Sequence, residues 1–386
     1  MTLGWGTGLV GTRCPHSHLG EIDMGLTLGV EEEFLLVDPR SGIPCPAAPG
    51  VLADLPAADW VGQAELFPTQ LETATGVCTD LADLAAQIQD ARQAVRAAAA
   101  GHGVVPMASG VPVFAGPLLE RPAGERFAAI HDRFSAVVED YQACGCHVHV
   151  GVADPDLAVA VINHINPWVP TLAALAVNSP VRDGRDRGHA SLRQLDQARF
   201  PGCGLPPWFE SAADHAEQVA RLVDCGVILD DRMTFWLVRR SPHLPTIEVR
   251  AADTVLEPWE AVLQAALVRG LVRTALGELE LGREGVRLDP QLAAASVWAA
   301  ARYGVGPAID PVAGVATTAE ARVKALLDWT RPALESAGDW EFVAAAVGRL
   351  LACGPGASRQ RAALGRGELV AAVTGVGLPV SDPLIG

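Results

Sequence analysis

His147 and His149 sit two residues apart in Gly145-Cys146-His147-Val148-His149-Val150-Gly151, where polar and apolar residues alternate between two glycines. That pattern reads as a β-strand. Side chains at i and i+2 of a strand share a face about 6.6 Å apart, so both imidazoles project together while Cys146, Val148 and Val150 point the other way. Two imidazoles on one rigid face can ligate a divalent metal or touch phosphate oxygens. The same spacing brings Glu31 and Glu33 together within Thr27–Val37, with Glu32 on the opposite face. Two carboxylates aimed at one spot repel unless a cation lies between them. Gln70 and Glu72 share a face in the extended segment Glu65–Thr75, which Glu65 itself opens. In Pro245–Ala251 the face-sharing residues are Thr246, Glu248 and Arg250, a pairing that a structural ion pair would also explain.

Helices must carry and brace these strands. Thr79 or Asp80 caps a helix that runs to about Ala100, with Leu81, Leu84, Ile88, Ala91 and Val95 as its apolar stripe. A second amphipathic helix is expected over Phe127–Tyr141, leading into the histidine strand. Asp154-Pro155 reads as an N-cap with Pro at N1, opening a helix to about Asn163, followed by another over Pro167–Ala176. The loop Asn178–Arg193 carries four arginines, Arg182, Arg185, Arg187 and Arg193, whose forks suit carboxylates and phosphates. Ser211–Cys225 and Glu257–Glu280 read as helices, and Phe235–Arg239 as the strand before Pro245–Ala251. A mostly helical part follows, from about 285 to 373. No internal repeat, heptad pattern, clear linker or Walker-type phosphate loop is present.

Composition narrows the function classes. With 386 residues, 49% hydrophobic, the chain can bury a large core, and a net charge of −16 argues against nucleic acid as a partner. The most apolar long window, Leu157–Val177, holds two Asn, a His and two Pro, so it reads as core helices rather than a membrane span. Residues 1–25 lack the pattern of a signal peptide and read as a flexible leader that folding does not need; Met24 is a candidate start. Residues 26–386 are then one catalytic domain. The eight cysteines show no C-x-x-C spacing, and reduced thiols and a cytoplasmic location are expected. Cys144 and Cys146 face away from the two histidines, which excludes one tetrahedral zinc site built from all four.

Four strands thus bring Glu31/Glu33, Gln70/Glu72, His147/His149 and Glu248/Arg250 to one face, a set that suits two oxygen-preferring divalent ions and a nucleotide phosphate chain. The segments Gly29-Val30-Glu31-Glu32-Glu33-Phe34, Gln70-Leu71-Glu72-Thr73-Ala74-Thr75, Cys146–Gly151, Asn178-Ser179-Pro180 and Pro245–Arg250 resemble, in order and spacing, those of the carboxylate-amine ligases, the glutamate–cysteine ligase type 2 family. The resemblance covers about residues 26 to 373. It implies an α+β fold like that of glutamine synthetase, a funnel of about six antiparallel strands with helices outside and a helical C-terminal part.

The resemblance also implies ATP with Mg²⁺ or Mn²⁺. It assigns Glu31, His147 and Glu248 to the metal at the nucleotide's terminal phosphates, and Glu33, Glu65 and Glu72 to the metal nearer the acid substrate. Arg250 would stabilise the transferring phosphoryl group, with His149 and Arg239 toward the nucleotide. Asn178, Arg193 and Arg185 would line the acid pocket. The partners implied are a small carboxylate such as glutamate and an amine, within a homo-oligomer. Removing the charge of Glu248 is expected to relieve carboxylate repulsion. The chain departs from the family pattern at His189 and Leu192 of His189-Ala190-Ser191-Leu192-Arg193, at Leu237, and at Ser296-Val297-Trp298-Ala299, all on the substrate side. Two other readings use the same face. A metal-dependent amide or phosphoester hydrolase lacks a nucleophile motif here, and a catalytically idle binding member would keep mutually repelling glutamates for no use.

Overall fold

The computed structural model describes residues 26–116 and 125–375; the leader expected at 1–25 lies outside them. Seven strands form the central sheet: β1 (Leu28–Val37), β2 (Val61–Ala64), β3 (Gln70–Ala74), β4 (Val105–Met107), β5 (Gly145–Gly151), β6 (Val238–Arg240) and β7 (Thr246–Asp253). Their order is β6-β7-β5-β1-β3-β2, with β4 beside the C-terminal end of β1, and every pairing is antiparallel. Sheet, surrounding helices and helical C-terminal part together make the expected α+β architecture.

Alternation along each strand decides what the two faces do. Val30, Cys146, Val148, Val150, Ile247 and Val249 turn to the back and join one buried cluster with helix residues. Those helices are α1 (Leu81–Gly101), α2 (Pro155–Ile165), α3 (Val169–Leu175) and α5 (Pro258–Glu280), with the short α4 (Leu192–Gln197) lying at the front. Asp80 caps α1 by accepting from the Asp83 N–H at 2.8 Å, and Asp154 caps α2 ahead of Pro155. Helix α5 is apolar almost all round, with Leu263, Leu267 and Leu271 fully buried, as befits a helix in the middle of the core. Each such side chain contributes roughly 1.5–3 kcal/mol relative to exposure. A one-residue slip of any strand would turn its apolar set to the front, so back-face packing fixes which residues face the funnel.

Several elements differ from expectation. Glu65–Thr75 is not one strand: β2 and β3 form a hairpin, and Glu65 lies in its loop, where Pro68 lacks the N–H a ladder needs. The helix expected to reach Tyr141 runs from Glu125 to Phe134 and stops, because Ser135 takes φ 46° and starts a 3-10 turn. Phe235–Arg239 splits in two: Phe235–Trp236 pairs in parallel with Cys203–Gly204, and β6 begins at Val238. The arginine loop folds a short ladder, Val181–Arg182 against Arg185–Asp186, and then α4. Beyond α5 come α6 (Pro290–Tyr303), α7 (Ala319–Ala337), α8 (Trp340–Cys353) and α9 (Gly356–Arg366), with a β-hairpin at Pro307–Thr318 between α6 and α7. No described helix is long and apolar enough to cross a membrane.

Candidate active site

Cross-strand register assembles the polar face. Glu31 of β1 lies opposite His147 of β5, and Glu33 opposite Glu72 of β3. His149 lies opposite Glu248 of β7, which in turn lies opposite Arg239 of β6. Glu32, on the back, is held by Arg92 at 2.6 and 2.9 Å, leaving its two neighbours free for the front.

One half of this face is charge-balanced. Glu248 accepts from Arg239 at 2.7 and 3.1 Å and pairs closely with Arg250. Burial alone would raise its carboxyl, but the Arg250 and Arg239 charges outweigh burial and hold it well below the usual range. Glu31 touches His147 Nδ1 and His149 Nε2, both at 3.2 Å. Burial again works upward there, and the two imidazole hydrogen bonds overcome it. His147 Nε2 lies 3.3 Å from Arg193 Nη2. Arg250 Nη1 lies 3.3 Å from Nδ1 in turn, so the ring is set between two guanidiniums with Glu31 beside Nδ1. Burial, and then the Arg250 charge, lower the pKa of His147. His149 is oriented by Thr246 at 2.9 Å; burial would lower its pKa, and Glu31 raises it instead.

The other half is not balanced. Ligand oxygens of Glu33, Glu65 and Glu72 all lie within 4.8 Å of one another. Glu33 accepts from the Gly145 N–H at 2.5 Å, and Glu65 and Glu72 have only weak contacts, from Leu66 N at 3.3 Å and Gln63 Nε2 at 3.4 Å. Among the described residues no arginine or lysine forms an ion pair with Glu65 or Glu72. Burial and the Glu33 charge push Glu65 up to about 8, and burial with Glu31, Glu65 and Glu33 raises Glu72 well above its ordinary value. Three clustered carboxylates short of positive charge fit a hard divalent cation.

The face brings together Glu31, Glu33, Glu65, Glu72, His147, His149, Glu248, Arg250, Arg193 and Arg239. Within it Glu33, Glu65 and Glu72 group together as expected, and the other grouping differs. Glu31 and Glu248 cluster with His149, while His147 clusters with Glu31 and Glu72. The cross-strand register explains this, because His149 and not His147 is the partner of Glu248. Arg239 is not turned to a nucleotide: besides Glu248 it donates to the Arg232 and Thr234 carbonyls at 2.8 Å, and it braces Glu248. Since Glu248 sits between two arginines, removing its charge would strand them, contrary to the expected relief of repulsion. Asn178, 1% exposed, spends its side chain on Ala108 O, Thr254 O and Gln360 and does not line the pocket. Arg185 is exposed on its small hairpin and does not line it either.

Three features escaped the sequence. A bulge lies between Val249 and Ala252, so Asp253 pairs with Gly145 and returns to the funnel face despite its odd spacing from Glu248. There it accepts from Ser179 at 2.7 Å, Ser191 at 2.8 Å and Asn178 N at 2.8 Å, tying the arginine loop to the sheet beside Arg193. Gly145 leaves room for that arginine, since a Cβ there would collide with its guanidinium and come within 2.8 Å of His147 Nε2. A cavity beside Glu33, Glu65 and Arg250 is walled by Phe127, Tyr141 and Phe235 from three separate segments.

The family model described as glutamate-cysteine ligase family 2 matches residues 27–374. The chain belongs to this family. It is 49% identical over 364 residues to a protein of Saccharopolyspora erythraea provisionally named glutamate–cysteine ligase 2-2, covering 92% of this chain and 93% of that one. A relative of the same provisional name from Mycolicibacterium vanbaalenii is 43% identical over 87% of this chain and 93% of its own. Among solved structures, the bifunctional glutathione synthetase of Pasteurella multocida superposes with a TM-score of 0.65 at 14% identity, over 90% of this chain and 51% of that one, so this chain spans about half its length. The glutamate–cysteine ligase of Francisella tularensis in complex with AMP gives 0.63 at 12% identity, over 91% and 87%. At such identities the structural likeness speaks for the fold alone.

Membership makes the chain an ATP-dependent carboxylate-amine ligase, a carbon–nitrogen bond-forming enzyme, and disfavours the hydrolase reading. In this chain the register puts the funnel-face glutamates against arginines on one side and against each other on the other.

Proposed function

We propose that this chain activates the carboxylate of an amino acid, glutamate in the first instance, with ATP, and passes the acyl group to an amine such as cysteine. The observation that carries this reading is the juxtaposition of a carboxylate triad, Glu33 and Glu72 on the sheet with Glu65 in the β2–β3 loop, and the guanidinium of Arg250 beside one cavity. Mg²⁺ or Mn²⁺ would be held by that triad, and a second ion by Glu31, His149 and Glu248, donor sets of carboxylate oxygens and one imidazole. Such ions, when bound, neutralise the phosphate oxygens of the nucleotide.

The chain's own residues do the rest. Arg250, anchored to Glu248 and through it to Arg239, presents a preorganised cation to the phosphoryl group as the substrate carboxylate attacks the γ-phosphorus of ATP. Acyl phosphate and ADP result. Arg193, packed over Gly145, offers its guanidinium to the acid. The apolar wall of Tyr141 and Phe235 limits water around the acyl phosphate. An amine then attacks the acyl carbon, phosphate leaves, and an amide remains.

A coupled ADP-release assay with Mg²⁺, glutamate and cysteine, extended to other acids and amines, tests the reading. ADP should appear in step with amide and only when both substrates are present. ADP release that ignores every acid and amine, with no amide formed, would overturn it.

A further inference from the structure

Beside Glu33 and Glu65 the cavity contains polar atoms that the charge network does not use. Gln70, 3% exposed, donates from Nε2 to the Ala143 carbonyl at 3.0 Å, which fixes its amide orientation and leaves Oε1 without a partner among the described residues. Gln197 on α4, 4% exposed, also has an unpartnered Oε1, and both glutamines line the cavity. A buried acceptor left without a donor is costly unless a bound group supplies one. Arg193 Nε is a buried donor without a partner in the same cavity and suits an oxygen of the acid. The remaining wall is apolar: Leu66, Phe127, Tyr141 and Phe235 are partly exposed into it. Buried Phe200 stacks behind Phe235 with ring centroids 4.3 Å apart and meets Tyr141 edge-on at 4.8 Å, so the wall is rigid. At the rim, Arg126 is already bound by Asp230 at 3.0 Å and Arg232 is exposed to solvent. The cavity opens to solvent on one side, and its volume of about 170 Å³ is close to the roughly 150 Å³ that accepts a benzene ring.

The geometry points to this cavity as the subsite of the amine substrate, and to an amine that carries an aromatic ring or a branched apolar body. The inference rests on the ligase reading and names the class of acceptor for it. Carboxamide oxygens accept from the N–H donors of a neutral primary amine and leave its lone pair free. They are too weakly basic to take a proton outright, unlike a carboxylate. The nitrogen then lies toward Glu33 and Glu65, where the acyl phosphate forms. As the C–N bond forms, the acyl C–O bond to phosphate breaks, the phosphate leaves with the bonding pair, and the one proton lost from nitrogen goes with it. The ring of the amine rests against Tyr141 and Phe235, where burial of apolar surface supplies the selectivity.

Titration calorimetry on the full chain with Mg²⁺ and a non-hydrolysable ATP analogue tests this without knowing the acid. The probes are 2-phenylethylamine, ethanolamine and glycine. Phenylethylamine should bind about tenfold or more tighter than ethanolamine, the scale of an apolar group in a fitted pocket. Gln197→Leu and Phe235→Ala should each weaken it by about tenfold, and Gln70→Leu serves as a third variant should one of these not fold. Equal affinity for the three probes, or full phenylethylamine affinity in folded Phe235→Ala protein, would overturn the inference. Trapping with hydroxylamine separates it from the ligase reading. Hydroxamate formed from glutamate or another acid with ATP, together with no preference for the aromatic amine, sinks this inference and leaves the ligase standing. With no hydroxamate from any acid, the ligase reading falls as well.

Discussion

The funnel face is divided between two halves that handle charge in opposite ways. Around Glu248, two carboxylates meet two arginines and two histidines, and the carboxyls of Glu31 and Glu248 are held low. Around Glu65, three carboxylates meet no arginine of their own, and two carboxyls are driven up. The balanced half has its charges paired within the protein and can hold its geometry before any ligand arrives, which is what a site for a transferring phosphoryl group requires. The surplus half is incomplete until a cation joins it. One sheet therefore carries a preorganised part and a part whose stability depends on its ligands.

The largest effect should come from the balanced half. Arg250→Lys keeps the charge but loses the planar fork, and turnover should fall about 10²–10³-fold, the scale of losing one preorganised partner of the developing charge. ATP affinity should weaken only mildly. Wild-type turnover in that variant, with any accepted acid and amine, would break the claim that this half does the phosphoryl work.

Next in size is a contrast in stability. Glu248→Gln leaves Arg239 and Arg250 facing each other in a site only 2% exposed at position 248, and breaking a buried pair in this way costs about 3–5 kcal/mol. Glu72→Gln removes one of several mutually repelling carboxylates, so the metal-free protein should be as stable as wild type or more so. Denaturant unfolding of both variants in a chelator reads the difference directly. Parallel losses in the two would mean that the halves are not distinct.

Part of this division was legible in the sequence. Polar residues at i and i+2 marked the front faces of β1, β3, β5 and β7, because strand alternation is a local rule. The partnership of those residues was not legible. Whether Glu248 meets His147 or His149 depends on register, and register is set by back-face packing between segments about a hundred residues apart. Asp253 was hidden by the bulge, which reverses parity within one strand. Asn178 was placed in the wrong role because a motif position tells of a fixed side chain without telling what fixes it; here it is Ala108, Thr254 and Gln360. The amine cavity draws on residues from 66 to 235 whose types alone suggest only core.

A third prediction uses pH to sharpen the comparison. Glu65 rises from an ordinary 4.5 to about 8 on folding. A raised carboxyl stabilises the folded state fully below the unfolded pKa, and that contribution is lost as pH climbs through the folded value. Metal-free wild type should therefore lose melting temperature between about pH 4.5 and 8 relative to Glu65→Gln, which has no such group. Millimolar Mg²⁺ should offset the loss at pH 8 in wild type by binding the ionised triad. Parallel pH curves for the two proteins in chelator would remove the surplus half as a distinct region.

The smallest effect is expected at Arg185. It was a candidate for the acid pocket by its place in the arginine loop, yet its side chain is exposed on the ladder Arg182–Arg185 and lies outside the cavity where Arg193 is buried. The two arginines therefore separate position in sequence from position in the funnel. Arg185→Ala should change stability by less than about 0.5 kcal/mol, as surface substitutions usually do, and leave KM for the acid within about twofold, since an exposed charge outside the pocket adds little to binding. Arg193→Ala should raise that KM sharply, because its guanidinium is the one held over Gly145 against His147. A large KM increase in Arg185→Ala at unchanged melting temperature would mean that the loop folds over the funnel when substrate binds. The arginine loop would then belong to the ligand-dependent half of the site and would have to give up the contacts that hold it here: Asp253 on Ser179, Ser191 and Asn178 N, the Val113 carbonyl on Gly184 N at 2.9 Å, and Arg361 on Asp186 at 2.9 Å.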